Sequence, residues 1–488
     1  MMLELLKKET TGTYTLNGGL THSTSGSNCL DLFFRAGAMR NVSSKEIAAI
    51  VRRAFAEDPV RTIKIVFFAR DVRGGLGERR FFRIAMQTLA KDAPEAVRRN
   101  LPYVAEYGRY DDLCALLHTP CEQDTITLIR ERLDADRKAM AEGVQVSLLA
   151  KWLPSVNASD KETCAAGRYL AFRLGMTERN YRKCLSALRS YSDVLENRLR
   201  TADYTFDYGK QPSGAMLKYR KAFLRNDGER YQSYLDAVDR GEAVLHAGTL
   251  YPYEIVRQCQ NQPSAEERQA LDLTWRNLPA YGESQENAIA VIDGSGSMTW
   301  CDRGNVRPID AALSLGLYFA EHNKGAFANH FITFSMHPQL VEIKGGDIVA
   351  KAQYCETFDE CANTDLEAVF RLILDTAVKN RVPQSELPSK LFIISDMEFD
   401  DCIEGGNSHP LYDTMRQMYA DAGYALPQVV FWNVNSFQSN MPVTMGTAGT
   451  ALVSGFSPSL FDLVMSGELA PEMIMDRAIF CERYAQIA

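Results

Sequence analysis

The pattern of apolar and polar positions changes once along the chain, near residue 280. From about residue 43 to 260, apolar residues recur at helical spacing, so that Ile47, Ile50 and Val51, for example, fall on one face. Gly, Pro, Asn or Asp separates the successive amphipathic segments. Many short helices with no strand pattern between them predict stacked helical pairs of the HEAT-like kind, arranged as a solenoid or a ring.

After residue 287, short apolar runs alternate with amphipathic segments. The strand-like runs are 288–293, FANHFITFS, KLFIISDMEF, QVVFWNVN and TALVSGFS. This alternation predicts a doubly wound, Rossmann-like sheet with parallel strands and helices on both faces. The predicted fold class is therefore α + α/β, with a non-periodic arm over 1–28, a helical domain over 29–280 and an α/β domain over 281–488.

Composition places the chain among ordinary globular proteins. Its 488 residues are 46% hydrophobic and 24% charged, enough to build more than one core. The first residues lack the apolar core of a signal peptide, and no run approaches the roughly 20 apolar residues of a membrane helix. The 11 cysteines are scattered singly without a C-x-x-C pair. We expect a cytoplasmic protein with reduced thiols and no membrane partner.

Charge divides the chain as the hydrophobic pattern does. Residues 281–488 hold 12 Lys+Arg and 27 Asp+Glu, a net charge of −15, whereas the whole chain carries −8, so residues 1–280 carry +7. A basic helical half suggests an anionic partner such as a nucleic acid. Solvated helix faces would give the same count, so the charge alone leaves both interpretations open.

Five oxygen-bearing side chains follow predicted strands or precede a predicted helix of the α/β domain. Asp293, Ser295 and Ser297 form a D-x-S-x-S motif directly after the first strand, Thr364 precedes a helix, and Asp396 ends the strand KLFIIS. Since ligands bind at the carboxyl edge of such sheets, these side chains should meet there. Carboxylates and hydroxyls suit a hard divalent cation, Mg²⁺ or else Mn²⁺ or Ca²⁺.

The same five positions resemble the metal-ion-dependent adhesion site (MIDAS) of von Willebrand factor A (vWA) domains. In that family the two serines and the threonine ligate the ion, and the aspartates bind it directly or through water. The resemblance implies these roles for Ser295, Ser297 and Thr364, and for Asp293 and Asp396. A vWA domain that keeps these residues as a hydrogen-bonded loop without metal is the alternative.

A second resemblance covers the rest of the chain. The stretches GSNCLDLFFRAGAMRN, DPVRTIKIVFFARDVRGGLGERRFFRIAM and YGRYDDL, followed by a vWA domain ending in ALVSGFSPSLFDLVM, resemble the domain-of-unknown-function 2828 proteins. Their architecture is similar to that of the Ro autoantigen, a TROVE module of HEAT-like helices closed by a vWA domain. Ro proteins bind small non-coding RNAs outside the ring and single-stranded ends of misfolded RNAs through its hole. The resemblance implies an RNA partner here.

One candidate phosphate contact lies in the glycine-rich segment DVRGGLGERR. Arg73, Arg79 and Arg80 flank a turn whose backbone amides and guanidinium groups could meet phosphate. The alternative is a connection between helices in which these arginines pair with Asp71 and Glu78.

A second candidate contact lies in the most basic part of the chain. Residues 161–225 hold 14 Lys+Arg and 6 Asp+Glu, and near its end basic residues alternate with Tyr208, Tyr219 and Phe223. Basic and aromatic side chains together suit single-stranded nucleic acid. The candidate residues are Lys210, Lys218, Arg220, Lys221 and Arg225. The alternative is that the aromatic rings lie in the core and the basic residues are solvated, which would give the same sequence pattern.

These observations favour a non-enzymatic, Ro-like RNA-binding protein with a divalent-metal site. A protein-interaction scaffold, whose metal site grips an acidic residue of a protein ligand, is the first alternative. A metal-dependent nuclease is the second, and it is weaker because one cation with mostly hydroxyl ligands and no nearby base falls short of a two-metal site.

Overall fold

The structure, a computed structural model, describes residues 11–192, 194–299, 306–335, 337–358, 365–400, 411–465 and 467–488. Helices fill the N-terminal half, as the periodicity predicts. They are α1 (Asn28–Ala36), α2 (Ser44–Glu57), α3 (Pro59–Arg70), α4 (Arg79–Asp92), α5 (Pro94–Asn100), α6 (Val104–Tyr107), α7 (Glu122–Ala141), α8 (Leu149–Trp152), α9 (Lys161–Arg173), α10 (Glu178–Tyr191), α11 (Leu195–Arg200), α12 (Ser213–Asn226), α13 (Gly228–Asp239), α14 (Pro252–Cys259) and α15 (Ala265–Arg276).

Capping side chains set where the first helices begin. The side chain of Ser27 accepts a hydrogen bond from the Leu30 amide at the start of α1, and that of Ser43 caps α2 in the same way. Asp58 caps α3, whose first residue is Pro59, a residue suited to the first helical position. These caps fix the residue at which each helix begins, and the successive helices pack on one another.

The C-terminal half contains a six-stranded sheet flanked by helices, which confirms the α + α/β class. The strands are β3 (Ala288–Asp293), β4 (His330–Phe334), β5 (Leu340–Glu342), β6 (Lys390–Ser395), β7 (Gln428–Asn433) and β8 (Thr450–Ser454). Their order is β5-β4-β3-β6-β7-β8, parallel except for β5. The helices are α16 (Pro308–His322), α17 (Ile348–Glu356), α18 (Leu366–Asn380), α19 (Leu411–Asp421), α20 (Leu460–Met465) and α21 (Pro471–Ile479).

Both ends of the helical half contact the sheet domain. At its start, α1 packs on β8, where the Gly37 amide donates to Ser454 Oγ at 3.0 Å. At its end, α14 packs on α16 and α15 packs on α17, and Arg268 of α15 pairs with Asp347 at 2.7 Å. The first and the last helices of the helical half therefore both pack against the sheet domain.

The two chain ends also cross between the halves. Residues 12–14 and 20–22, assigned from the sequence to a non-periodic arm, form an antiparallel hairpin, β1 (Gly12–Tyr14) with β2 (Leu20–His22). Thr21 Oγ1 of this hairpin donates to the Met441 carbonyl at 2.9 Å in the sheet domain. At the other end, α21 packs on α3 of the helical half. No helix among the described residues is long and apolar enough to cross a membrane.

Candidate metal centre and basic surfaces

The two predicted metal-binding aspartates lie side by side at the carboxyl edge of the sheet. Asp293 is the last residue of β3 and Asp396 directly follows β6, and these two strands are parallel neighbours. The chain crosses from β3 to β4 on one side and later to β6 on the other, so strand order reverses between them. Such a switch point opens the crevice in which doubly wound sheets bind ligands.

Hydrogen bonds hold the D-x-S-x-S loop over this crevice. Asp293 Oδ1 accepts from the Ser295 amide at 2.9 Å and Asp293 Oδ2 accepts from Ser395 Oγ at 2.6 Å. The hydroxyl oxygens of Ser295 and Ser297 lie 3.0 Å apart. The structure thus brings four of the five predicted ligands into one loop cluster, and Thr364 lies outside the described residues.

Both aspartates are buried, and among the described residues neither has a cationic side chain beside it. Asp293 is 0% exposed and Asp396 is 1% exposed. Burial, and then the neighbouring Asp396, raises the pKa of Asp293 above its usual range. Burial likewise raises the pKa of Asp396, which the Ser297 hydroxyl partly opposes. Within the described ranges neither carboxylate has a Lys, Arg or His partner within 4.0 Å. Since buried charges are normally paired or bound to metal, the described part of the site is short of positive charge.

This donor set fits a hard divalent cation. The buried Oδ2 of Asp396 receives no hydrogen bond of ordinary length from a described residue, so it keeps an oxygen available for a ligand. Met397, the next residue, has φ +68, a strained value for a non-glycine residue of the kind that clusters at functional sites. The described residues contain no group of three His, Cys, Asp or Glu side chains with metal-binding geometry, so any ion here depends on the hydroxyls.

The glycine-rich segment after α3 folds back on that helix instead of presenting its amides. The amides of Leu76 and Glu78 donate to the carbonyls of Phe68 and Ala69. Gly75 lies so close to α3 that a Cβ there would stand 2.0 Å from the Phe68 carbonyl oxygen. The backbone amides of Leu76 and Glu78 already donate within the protein, so they are not available to phosphate as the sequence predicted.

The three arginines of this segment have separate surroundings. Arg73 is exposed and reaches the Glu106 carbonyl at 3.5 Å. Arg79 and Arg80 are exposed at the start of α4 and line a cleft shared with Tyr253 of α14. Among the described side chains, the partners of Asp71 and Glu78 are Arg483 and Arg40, and not the three predicted arginines of this segment.

On α12, the structure separates the predicted basic residues into an exposed set and one buried residue. Lys218, Lys221 and Arg225 are exposed and spaced three and four residues apart, so they share one face of the helix. We call these three residues the basic stripe. Lys210 is exposed just before the helix, with Asp207 at 3.7 Å.

Arg220 is a correction to the sequence prediction. Its side chain is 4% exposed and donates to the Leu217 carbonyl at 2.8 Å and to Gln258 Oε1 at 2.9 Å. It therefore joins α12 to α14 inside the protein. Tyr208 and Phe223 are buried in an aromatic cluster, 5.2 Å apart between ring centres, so they offer no face for base stacking.

A basic cleft that was not predicted lies between α8, α10 and α11. It has a volume of about 510 Å³, and its described lining residues include Arg182, Lys183 and Arg200, all exposed, and no carboxylate. Arg189 is also part of the lining, but it donates to the carbonyls of Ala150 and Leu153 and is structural. The excess of basic residues over 161–225 was the sequence signal that could have located this cleft.

With the fold and the site described, the family can be stated. Residues 15–131 and 121–280 match a family described as a domain of unknown function, DUF2828, and together these matches span more than half of the 488 residues. The chain belongs to this family, as its sequence stretches suggest. Residues 287–478 match a second domain of unknown function, DUF7788.

Two similar proteins extend the comparison over nearly the whole chain. The uncharacterized protein L728 of Acanthamoeba polyphaga mimivirus is 28% identical over 496 residues, covering 93% of this chain and 85% of that protein. The crystal structure of the RO (RSR) protein of Deinococcus radiodurans matches with a TM-score of 0.51 at 15% identity, covering 94% of this chain and all of that one. The second similarity confirms a Ro-like fold.

Proposed function

We propose that this protein binds single-stranded or small structured RNA on the basic surface of its helical half. The observation that carries the proposal is the basic stripe, formed by Lys218, Lys221 and Arg225, whose three cations lie exposed on one helix face. Cations at this spacing neutralise successive phosphates and release counterions, which is the main source of affinity for nucleic acids. The Ro-like fold supports the same partner class.

The cleft between α8, α10 and α11 extends this surface. Arg182, Lys183 and Arg200 add three exposed cations over a concave region with no described carboxylate in its lining. An anion-binding groove needs both properties, because nearby carboxylates would cancel its field. A bound strand would contact the stripe, the cleft or both.

The metal centre belongs to the proposal as a separate element of the sheet domain. Asp293, Ser295, Ser297 and Asp396 would hold Mg²⁺ or a related divalent cation, together with Thr364. The ion would supply positive charge to two buried carboxylates and an open coordination position for an acidic group. An acidic protein ligand at this position is the second candidate function, favoured by the uncompensated carboxylates.

RNA affinity as a function of salt tests the proposal. Fluorescence anisotropy with labelled single-stranded RNA would compare the wild type with a Lys218→Gln, Lys221→Gln, Arg225→Gln variant. Each phosphate contact contributes about 0.7 to the slope of log K against log salt for single strands, so losing all three should reduce the slope by about 2. Arg220 stays intact because its substitution would disturb the interior.

A matched variant controls for net charge. Lys45, Arg53 and Lys91 are exposed on α2 and α4, and their replacement by Gln removes the same charge from other helices. The control should keep most of the wild-type affinity and slope. Equal losses in both variants would mean that the stripe is not the binding surface, and no binding by the wild type at moderate salt would leave the metal centre and its acidic ligand as the function to pursue.

A further inference from the structure

An arginine-rich cleft lies where the start and the end of the helical half meet the sheet domain. Its volume is about 490 Å³, within the range of roughly 300 to 1,000 Å³ typical of small-molecule sites. Among the residues that the structure describes, six arginines and one carboxylate line it. The arginines are Arg40, Arg70, Arg79, Arg80, Arg109 and Arg257, and the carboxylate is Glu78. We call this the Arg cleft.

Four of the six arginines are held in place by carboxylates. Arg40 pairs with Glu78 at 2.6 Å, Arg70 with the buried Asp112 at 2.7 Å, and Arg109 with Asp111 at 2.7 Å. Arg257 lies 4.0 Å from Asp310 of α16. These pairs fix the walls of the cleft and neutralise its one lining carboxylate, so Glu78 does not repel an anion.

Arg79 and Arg80 carry the charge that the protein leaves unbalanced. Arg79 forms no ion pair or hydrogen bond with a described residue, and Arg80 reaches only the carbonyls of Met39 and Arg40, at 3.3 and 3.5 Å. Although the Arg79 side chain is exposed, partial desolvation of its guanidinium and the like charges of Arg109 and Arg83 lower its pKa, against the attraction of Asp111 and Asp112. An anion in the cleft would therefore relieve the repulsion of Arg79 by Arg109 and Arg83, and it would also meet Arg80 in the same lining.

The backbone adds further donors at the same place. Arg79 and Arg80 are the first two residues of α4, a 14-residue helix whose N-cap, Glu78, makes no capping hydrogen bond with its side chain. Within the described structure, the amides of Arg79, Arg80 and Phe81 donate to no acceptor. Free amides at a helix N-terminus favour anions.

We propose that the Arg cleft binds a phosphate monoester. Such a group carries a charge of about −1.5 to −2 near neutral pH and three terminal acceptor oxygens. It therefore matches two unbalanced arginines, whose planar forks bind phosphate oxygens in pairs, better than a diester with a single charge does. The ligand is either a free nucleotide or the phosphorylated end of an RNA strand, and only the second source rests on the proposed RNA-binding function.

Isothermal titration calorimetry on the full chain tests the site with three probes: AMP, a short RNA with a 5′-phosphate, and the same RNA with a 5′-hydroxyl. Arg79→Gln with Arg80→Gln should weaken binding of the phosphate-bearing probe about tenfold or more, since each lost bond is charge-assisted. Arg52→Gln with Arg53→Gln, an adjacent exposed pair on α2, is the matched control and should bind as the wild type does. The single Arg79→Gln variant serves if the double variant is unstable.

The outcomes separate the sources. AMP binding that depends on Arg79 and Arg80 indicates a free nucleotide, whereas a gain only for the 5′-phosphorylated RNA indicates a strand end. Binding should weaken at pH 5, because the ligand's second pKa is about 6 while the arginines stay charged. The proposal is wrong if the wild type binds no phosphate-bearing probe more tightly than the 5′-hydroxyl RNA. It is also wrong if the Arg79/Arg80 variant and the Arg52/Arg53 control lose affinity equally. Binding of the 5′-hydroxyl RNA, which depends on the basic stripe, should be the same whether the proposal about the Arg cleft is right or wrong.

Discussion

Asp71 should control whether the C-terminal segment stays attached to the helical half. This residue is 0% exposed and accepts hydrogen bonds from Arg483 and, at 2.9 Å, from Tyr484 Oη. Tyr484 is itself buried and stacks on Tyr107, with 5.5 Å between ring centres. Residues 481–488 therefore pack on the helical half through this carboxylate and the aromatic pair, beside hydrogen bonds from Lys64 Nζ to the Tyr484 carbonyl and from the Ala488 amide to Asn100 Oδ1.

The contacts set the expected cost of Asp71→Ala. The Tyr484 hydroxyl would remain buried without its acceptor, which costs about 1 to 3 kcal/mol. Arg483 is 34% exposed, so water replaces its partner and the lost ion pair adds no more than about 1 kcal/mol after screening. The total loss should be about 1 to 4 kcal/mol, and it should be concentrated at the C-terminal segment.

Urea denaturation combined with hydrogen–deuterium exchange would measure this loss and locate it. Asp71→Asn keeps an oxygen acceptor for Tyr484 and should cost less than Asp71→Ala. Asp92→Ala removes a surface ion pair with Arg52, whose side chains are 42% and 54% exposed, and should cost under about 1 kcal/mol. If Asp71→Ala costs no more than Asp92→Ala, or leaves the exchange of 481–488 unchanged, the attachment does not depend on this carboxylate.

Three other substitutions test the interior and the metal centre. Arg70→Ala removes one of the two arginine partners of the buried Asp112 carboxylate, which keeps Arg83, and should lower the free energy of unfolding by about 1 to 3 kcal/mol in urea. Gly77→Ala should destabilise the glycine-rich segment, because φ is +69 and a Cβ would lie 2.2 Å from Tyr251 Oη; a melting temperature equal to that of the wild type would contradict this. Mg²⁺ at a hundredfold excess over Kd should stabilise the wild type by about 2.7 kcal/mol, and Asp293→Asn should abolish that effect in thermal melts.

The local pattern was sufficient for the elements and for the position of the candidate metal centre. Helical periodicity and strand–helix alternation predict the two halves because each element hides an apolar face of its own period. The aspartates at 293 and 396 could be placed together because parallel strands end at one edge of the sheet. The pattern did not indicate β5, a three-residue strand with only one buried side chain, or α17.

Which charges are exposed was decided only by the tertiary structure. Arg220 and Lys218 lie two residues apart in the same basic segment, yet Arg220 is buried, where its guanidinium donates a hydrogen bond to Gln258 of α14. The Arg cleft likewise joins residues from 40 to 306, brought together because both ends of the helical half return to the sheet domain. Sequence by itself determined which faces must be covered, because that depends on local spacing. Which element covers each face depends on contacts between residues distant along the chain. The same contacts decide which cations stay accessible to a ligand.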